Sequence, residues 1–247
     1  MKLFSRPSAR QIAGRVSFSP FRIVAYILHA TGLEYIYKPR FMRHTSVMDF
    51  NDEVVNRLPK HCFSLSGAKM DPMNVIFVGS DADIRRTFRK AGWHRANPAS
   101  PLHLLYTLFT TIAKRPYRTG PFTPLFVNIG LQDLAYQKTL RDGTQRRRHH
   151  IRIWRTGLVL PGERRVWVAA GSFDTSLKVQ VTPPFIHHAI DPNLDTERAY
   201  IVRELEKRGA LYLKTVAMTE PVLASRMRSN GYGARYFTDG RAVVVEV

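Results

Sequence analysis

The run Asn74–Gly79, which reads Asn-Val-Ile-Phe-Val-Gly, constrains the fold of this chain more than any other segment. Its four central residues are apolar and consecutive, a pattern typical of a β-strand that is buried on both faces. Ser80 follows directly and Asp83 stands three residues later, so the pair predicts the capped start of a helix. The next apolar residues recur at helical spacing: Ile84, Phe88 and Ala91. The segment therefore predicts a strand, a tight turn and an amphipathic helix that ends near Gly92.

Two further segments have side chains that vary with a period of two residues, as strands do. Ile151–Trp154 alternates at period two, and so does part of Val166–Ala170. Pro161 and Gly162 lie between the two segments and mark a turn. The segments are therefore predicted to pair as antiparallel strands.

The rest of the chain mixes helical and strand patterns. Apolar spacing predicts helices over residues 101–113 and 196–208, and strands over residues 125–129 and 211–216. An Asp-Gly pair predicts a hairpin over residues 236–245. The predicted fold class is α/β or α+β, with a mixed β-sheet, helices packed on it and a single main domain.

Residues 1–66 are predicted to form a basic N-terminal extension, and residues 67–247 the main domain. The apolar centre of the extension, Ile23–Leu28, is flanked by basic residues. Such a segment more often packs on its own domain, but it can also lie on an anionic membrane surface. The single cysteine, Cys62, can form no intramolecular disulfide, which fits a reducing compartment, and it is interpreted as inert.

The charge points to anionic partners. Lys and Arg outnumber Asp and Glu by 38 to 19, which leaves a net charge of +19. The excess is concentrated, with +7 over residues 1–44 and +6 over residues 141–165. Such a field favours phosphorylated substrates, anionic lipid headgroups or nucleic acid. Nucleic acid ranks last, since the sequence shows no helix-turn-helix, zinc finger or ribonucleoprotein signature.

The sequence also bears on location. No apolar run approaches the length of about eighteen residues that spans a bilayer. The N-terminus lacks an apolar core followed by a small-residue cleavage site, so a secretory signal is not indicated. We expect a cytoplasmic protein, with the alternative that it is peripheral to the inner face of the membrane.

The most polar part of the predicted sheet begins at a histidine pair. On a strand, His150, Arg152 and Trp154 share one face, while His149 lies on the other face with Ile151 and Ile153. The second face is apolar and is expected to meet the core. His150 is therefore the histidine expected to take part in chemistry, with the reversed register, in which His149 takes that place, kept as the alternative. Asp174 closes the partner strand, where a carboxylate is often catalytic or ligating.

A second histidine pair lies downstream in a segment interpreted as a loop that leads into a helix. His187 and His188 precede Asp191, and either Asp195 or Thr196 is expected to cap the helix. We predict that both histidine pairs contribute to one polar site. The predicted general acid or base is His150 or His188, oriented by Asp174 or Asp191. The predicted anion-binding residues are Arg148, Arg152, Trp154 and Arg198.

A divalent metal is the alternative use of this site. Imidazole and carboxylate together are the ligands of zinc, manganese and non-haem iron. The candidate ligands are His149, His187, Asp195 and Glu197. Adjacent histidines on a strand point apart, however, and no His-Glu-x-x-His motif is present. Covalent catalysis has no candidate in the sequence, because no Gly-x-Ser-x-Gly motif appears.

From about Met70 to Val247 the chain resembles the LssY C-terminal domain family, which is named after a component of type I secretion. The strand Asn74–Gly79 belongs to this likeness, and so do several polar motifs. The other segments that carry it are Gly92-Trp93, Arg115-Pro116-Tyr117, Gln132-Asp133-Leu134-Ala135-Tyr136-Gln137, Arg147 to Trp154, Ser172-Phe173-Asp174, His187 to Asp191 with Asp195, Glu197 and Arg198, and Tyr236 to Arg241.

The resemblance implies work near a membrane. Members of the family are often joined to integral membrane modules of the DedA-like kind or the phosphatidic-acid-phosphatase kind, whereas this chain has a short basic extension in that place. No reaction is assigned to the family, so no catalytic role follows from the resemblance.

The leading hypothesis is a hydrolase that acts on a phosphate-bearing substrate, such as a lipid headgroup. The alternative is a non-catalytic module that binds anionic lipid or a membrane or secretion-system partner.

Overall fold

A computed structural model describes residues 19–31, 45–47, 49–113, 115–141, 143, 147–180 and 185–247. In residues 177–180 and 185–188 the description covers the backbone and not the side chains. The helices are α1 Pro20–Ala30, α2 Asp52–Arg57, α3 Asp81–Lys90, α4 Pro101–Ile112 and α5 Leu194–Glu206. None of these helices is both long and apolar enough to cross a membrane.

The strands of the described residues are short except at the centre of the fold. They are β1 Thr45–Ser46, β2 His61–Phe63, β3 Lys69–Pro72, β4 Val75–Gly79, β5 His94–Arg95, β6 Phe126–Val127, β7 Gly130–Leu131, β8 Leu134–Thr139, β9 Arg148–Leu160, β10 Arg164–Gln180, β11 Phe185–Ile190, β12 Leu211–Ala217, β13 Arg228–Ser229, β14 Arg235–Tyr236 and β15 Arg241–Glu246.

One nine-stranded mixed sheet organises the molecule. Its strands run in the order β12-β15-β4-β10-β9-β8-β5, with β1 beside β9 and β11 beside β10. The strands β3-β2-β6-β7 form a smaller sheet, and β13 pairs with β14. Because the sheet is mostly antiparallel and carries helices on it, the protein has an α+β fold, and the predicted fold class is confirmed.

The antiparallel pair at the centre of the sheet is also confirmed. Strands β9 and β10 pair from Arg148↔Asp174 to Leu160↔Arg164, with Ile153 opposite Ala169. Pro161–Glu163 makes the turn between them. Both strands extend well beyond the segments from which they are predicted. Polar residues near one end of each strand continue the pairing between β9 and β10.

Strand β4 is buried on both faces, as predicted. It lies between β10, to which it is antiparallel, and β15, to which it is parallel. Its side chains alternate between two cores: Ile76 and Val78 join one, while Val75 and Phe77 join the other. Helices α3 and α5 cover the second core. The capping box that starts α3 is present, with Ser80 Oγ accepting from the Asp83 N–H.

The predicted extension over residues 1–66 is part of the core from α2 onward. Val54 and Val55 of α2 pack in the same cluster as Ile76 and Val78 of the central sheet. Cys62 is fully buried, and its Sγ lies 3.4 Å from the carbonyl oxygen of Asp71. Burial raises the pKa of the Cys62 thiol, which keeps the sulfur protonated. Residues 1–18 and 32–44 lie outside the described residues.

Three local predictions are wrong. The Asp-Gly pair does not join a hairpin, because β14 pairs with β13 whereas β15 pairs with β12 and β4. Burial of the β15 valines between two strands outweighs the local turn preference. The segment around the second histidine pair is also not a loop, since β11 pairs with β10. The predicted cap, Asp195 or Thr196, is the third error: Asn193 caps α5, and its side chain accepts from the N–H groups of both residues.

Candidate functional site

A cavity of about 670 Å³ opens on one face of the central sheet. Its polar floor consists of side chains from the neighbouring strands β9 and β10. A second wall comes from the apolar residues Leu104, Leu105 and Leu108 of α4. The cavity therefore combines a charged end with an apolar side, as sites for amphipathic ligands do. The floor residues are Arg148, His150 and Arg152 of β9, and Ser172 and Asp174 of β10.

Strand geometry explains why these five side chains meet. Alternate residues of a strand point to the same face, so the three floor residues of β9 share one face. The antiparallel register then places Ser172 opposite His150 and Asp174 opposite Arg148. The predicted facing of His150 and Arg152 is thus confirmed, and the register between the strands completes the group.

Arg148 and Asp174 form the buried ion pair of the floor. Nε of Arg148 donates to Oδ2 of Asp174 over 2.8 Å, and Nη1 donates to Oε1 of Gln137 over 2.7 Å. Gln137 donates in turn to the carbonyl oxygen of Gly120. Burial lowers the pKa of Arg148, while Asp174 opposes that shift. This network holds the Asp174 carboxylate in place.

His150 lies between a hydroxyl and that carboxylate. Its Nε2 is 3.0 Å from Oγ of Ser172, and its Nδ1 is 3.3 Å from Oδ1 of Asp174. The contact with Asp174 is within ion-pair distance but is not aligned as a hydrogen bond. Burial lowers the pKa of His150, and Asp174 opposes that shift. The neutral imidazole is therefore favoured at pH 7, and the carboxylate favours a proton on Nδ1, which leaves Nε2 to accept from Ser172.

Arg152 is the floor cation that has no anionic partner among the described residues. It is 8% exposed, and in the part of the chain that the structure describes it makes no hydrogen bond or ion pair. Its guanidinium carbon lies 5.0 Å from the centre of the Phe122 ring, and the guanidinium carbon of Arg148 lies 4.6 Å from the same ring centre. A buried guanidinium is costly when its donors are unsatisfied. The cavity beside it therefore suits an anion.

The other histidine of the pair belongs to a different environment. Nδ1 of His149 is 2.7 Å from Oε2 of Glu197, on the face of the sheet that α5 covers. The His149 ring stacks on Tyr200 with 3.8 Å between centres. Burial raises the pKa of Glu197, and the hydrogen bond to His149 opposes that shift. The structure thus separates the two predicted metal ligands His149 and Glu197 from the cavity, because neighbouring strand residues point to opposite faces.

Arg198 and Asp195 lie at the start of α5 and also stay outside the cavity. Arg198 donates to both oxygens of Asp239 and to the carbonyl oxygen of Arg241. Asp195 accepts from Oγ1 of Thr238 and from the N–H of Asp239. These contacts tie α5 to the start of β15. The structure therefore separates Arg198 from the predicted anion site, because its donors are engaged by Asp239.

Three more predicted residues take other positions. Trp154 shares the face of Arg152 but is 2% exposed and packs in the apolar core. It differs from Arg152 because its part of the strand lies beyond the end of the cavity. Oδ1 of Asp191 accepts from the N–H of Asn193 and shapes the turn into α5. The backbone of His188 lies opposite Leu177 of β10, three residues beyond Asp174.

The two predicted metal ligands besides His149 and Glu197 are His187 and Asp195, both from the second histidine segment. The side chains of His187 and His188 lie outside the description. Among the side chains that it does include, no three His, Cys, Asp or Glu groups converge as metal ligands do. A divalent metal at this site stays a prediction.

The structure adds three residues to the site for which the sequence analysis proposes no role. Ser172, Gln137 and Phe122 contact the predicted residues of the floor directly. For Ser172 a signal exists, since it stands two residues before Asp174 and so shares its face. Gln137 ends one of the motifs that carry the family resemblance, but only the strand order brings it to Arg148. For Phe122 no local signal exists.

A family model for the LssY C-terminus matches residues 55–242 of this chain. The match spans about three quarters of the sequence and includes every floor residue. Searches of curated proteins and of solved structures gave no match. The chain belongs to the LssY C-terminus family.

Proposed function

We propose that this member of the LssY C-terminus family is a hydrolase that binds an amphipathic, phosphate-bearing substrate in the cavity. The observation that carries the proposal is the position of the His150 imidazole, which lies between Ser172 and Asp174 and beside Arg152, a cation without an anionic partner among the described residues. A base, an orienting carboxylate and an anion-binding group can together catalyse the hydrolysis of a phosphate ester.

Arg152 would hold the phosphate. Guanidinium presents several N–H donors in one plane and grips phosphate oxygens bidentately. Arg148 is less free to do so, because Asp174 and Gln137 occupy its donors. The net charge of +19 adds a field that attracts an anionic substrate to the protein.

His150 would act as the general base. Because its pKa lies below the ordinary value of 6.5, the imidazole can accept a proton at neutral pH. Asp174 lies beside Nδ1 of the ring, so that the accepting nitrogen, Nε2, points towards Ser172. Removal of a general base slows a reaction by about 10²- to 10⁴-fold.

The apolar wall would take the hydrocarbon part of the substrate. The side chains of Leu104, Leu105 and Leu108 line the cavity from α4, and Tyr26 joins them from α1. Burial of apolar surface contributes about 25 cal/mol per Å². A short alkyl chain against this wall therefore adds affinity that a free phosphate ion lacks.

Binding of dodecyl phosphate, measured by calorimetry, tests the ligand part of the proposal. We expect binding by the wild type, weaker binding of inorganic phosphate, and loss of binding in Arg152→Met. The matched control is Arg241→Met, which removes one exposed positive charge outside the cavity. Equal loss in both variants would show that only the overall charge matters and would contradict the proposal.

Hydrolysis of lysophosphatidic acid, followed as phosphate release, tests the catalytic part. We expect His150→Gln to lose activity by about 10²-fold or more while it keeps dodecyl phosphate binding. Activity that survives this substitution would rule out His150 as the base.

The second candidate function is non-catalytic binding to an anionic membrane surface, and the exposed face of α4 favours it. This helix contains no Asp, Glu, Lys or Arg, and Leu102 and Ile112 are each 74% exposed. Helix α1 also exposes Phe21 and Ile27. Apolar helices on a basic protein can insert at the interface of a bilayer that contains anionic lipid. A secretion-system partner stays a prediction.

A further inference from the structure

We propose that Ser172 is the nucleophile of this site and that it carries the phosphoryl group of the substrate as a covalent intermediate. The inference rests on the proposed function for the identity of the transferred group. It goes beyond that function because it assigns a covalent step to a serine in a chain that lacks a Gly-x-Ser-x-Gly motif.

The order of the three side chains carries the inference. Oγ of Ser172 lies 3.0 Å from Nε2 of His150, and Nδ1 of the same ring lies 3.3 Å from Asp174. A hydroxyl, an imidazole and a carboxylate in this sequence of contacts activate a serine in several unrelated folds. The arrangement is recognised by its geometry and not by the order of residues in the chain.

The sheet makes this geometry rigid. Ser172 and Asp174 are alternate residues of β10, and His150 faces Ser172 from β9. Each of the three is at most 4% exposed. Arg148 and Gln137 hold the carboxylate from the other side. Sites on paired strands hold their groups more precisely than sites on loops.

Ser172 also faces the space that a substrate would occupy. It lines the cavity together with Arg152, the cation without an anionic partner in the described part of the chain. Arg152 is opposite Ala170, two residues before Ser172 on β10. A phosphate bound by Arg152 would therefore lie next to Oγ of Ser172.

The reaction balances without a further reactant besides water. Oγ of Ser172 attacks phosphorus, the Oγ–P bond forms, and the bond from phosphorus to the leaving alkoxide breaks. The Ser172 proton passes to Nε2 of His150 and from there to the alkoxide. Water then attacks the phosphorus of the phosphoserine and gives a proton to Nε2 of His150. The Oγ–P bond breaks, the proton passes from His150 to Oγ, and phosphate is released.

Arg152 supplies positive charge where the reaction develops negative charge. The oxygens of a phosphoryl group in transfer are stabilised by preorganised donors of this kind. Arg148 contributes less, since its charge is balanced by Asp174.

A fluorophosphonate reagent tests the assignment, because attack by an activated serine on its phosphorus expels fluoride and leaves a stable adduct. We expect the intact mass of the wild type to increase by one phosphonyl group, and peptide mapping to place the group on Ser172. Ser172→Ala should stay unlabelled. Ser229→Ala, which removes an exposed serine on β13, should label like the wild type. His150→Gln should label about 10²-fold more slowly or less.

The outcomes separate the two proposals. Wild-type protein that binds dodecyl phosphate but gives no adduct, or an adduct at another residue, would overturn the role of Ser172 and leave the proposed ligand standing. An adduct on Ser172 in protein that does not bind dodecyl phosphate would establish the nucleophile and overturn the proposed substrate class. Because the mapped adduct is measured on the wild type, the test does not depend on whether a variant folds.

Discussion

Arg148 and Asp174 form an ion pair in which both side chains are almost completely buried, at 4% and 2% exposure, with 2.8 Å between Nε and Oδ2. The pair joins β9 to β10 at the floor of the cavity, and the same carboxylate orients His150. Removal of one partner from such a pair leaves an uncompensated charge in the interior. The pair therefore supports the fold and the site together.

We predict that Asp174→Asn lowers the free energy of unfolding by about 3–5 kcal/mol, because Arg148 then remains buried without its counter-charge. Urea denaturation measures the change. The matched control is Glu246→Gln, which breaks the exposed pair with Arg164, where the side chains are 30% and 46% exposed. We expect the control to lose about 0–1 kcal/mol. A loss in Asp174→Asn no larger than in the control would contradict this reading of the pair.

We predict that the protein loses stability as the pH falls from about 6.5 towards 4, and that His61→Gln reduces the loss. Burial, with Lys69 and Arg228 nearby, lowers the pKa of His61 from 6.5 to about 4. The unfolded chain therefore binds a proton at this residue before the folded chain does. The contribution to stability is present above the unfolded value and disappears as the pH falls through that window.

Urea midpoints at several pH values between 4 and 8 measure this effect. His94 and His150 have pKa values shifted in the same direction, so part of the slope should remain in the variant. Parallel slopes in the wild type and His61→Gln would show that His61 does not contribute.

We predict that a Leu102→Glu/Ile112→Glu double variant binds anionic vesicles much more weakly than the wild type and unfolds at the same urea concentration. Both side chains are 74% exposed, so the charges enter water in the free protein but must enter the bilayer interface in the complex. Sedimentation with phosphatidylcholine vesicles, with and without phosphatidylglycerol, measures binding.

The control for this prediction is Leu223→Glu, since Leu223 is 63% exposed and lies outside α1 and α4. Wild-type binding should also weaken at high salt, because the screening length shrinks from about 10 Å at 0.1 M to about 3 Å at 1 M. Equal binding by the double variant and the wild type would exclude α4 from the membrane contact.

We predict that Gly171→Ala destabilises the protein by about 1–3 kcal/mol, the usual cost of overpacking a core. A Cβ at this position would clash with Cδ1 of Ile201, where α5 packs on β10. The double variant Gly171→Ala/Ile201→Val removes that methyl group and should be more stable than the Gly171→Ala variant. Thermal unfolding measures both, and a double variant with no such gain would place the strain elsewhere.

Local pattern was sufficient for the elements whose burial follows their own sequence. The strand β4 is apolar at every central position, and its sheet buries both faces. The facing of His150 and Arg152 against His149 follows from the alternation of any strand. The start of α3 follows from a capping box within four residues.

Contacts between distant segments could not be derived in this way. The Asp-Gly sequence at Gly240 favours a hairpin locally, yet β15 lies between β12 and β4. Burial of its valines there contributes more to stability than the local turn would. The segment of the second histidine pair forms strand β11, since β10 extends far enough to pair with it. Residues 51–63 join the core although the prolines around them suggest an extension.

The sequence by itself determined which residue types are present and which of them share a side of β9, because side chains alternate between the two faces of a strand. The tertiary structure alone decided the partners of those residues. The pairing of β9 with β10 places Ser172 and Asp174 beside His150. Glu197 and Arg198 lie on α5, where they contact His149 and Asp239 instead. The register between strands that are distant in the chain is set by the burial of whole faces, and no local pattern records it.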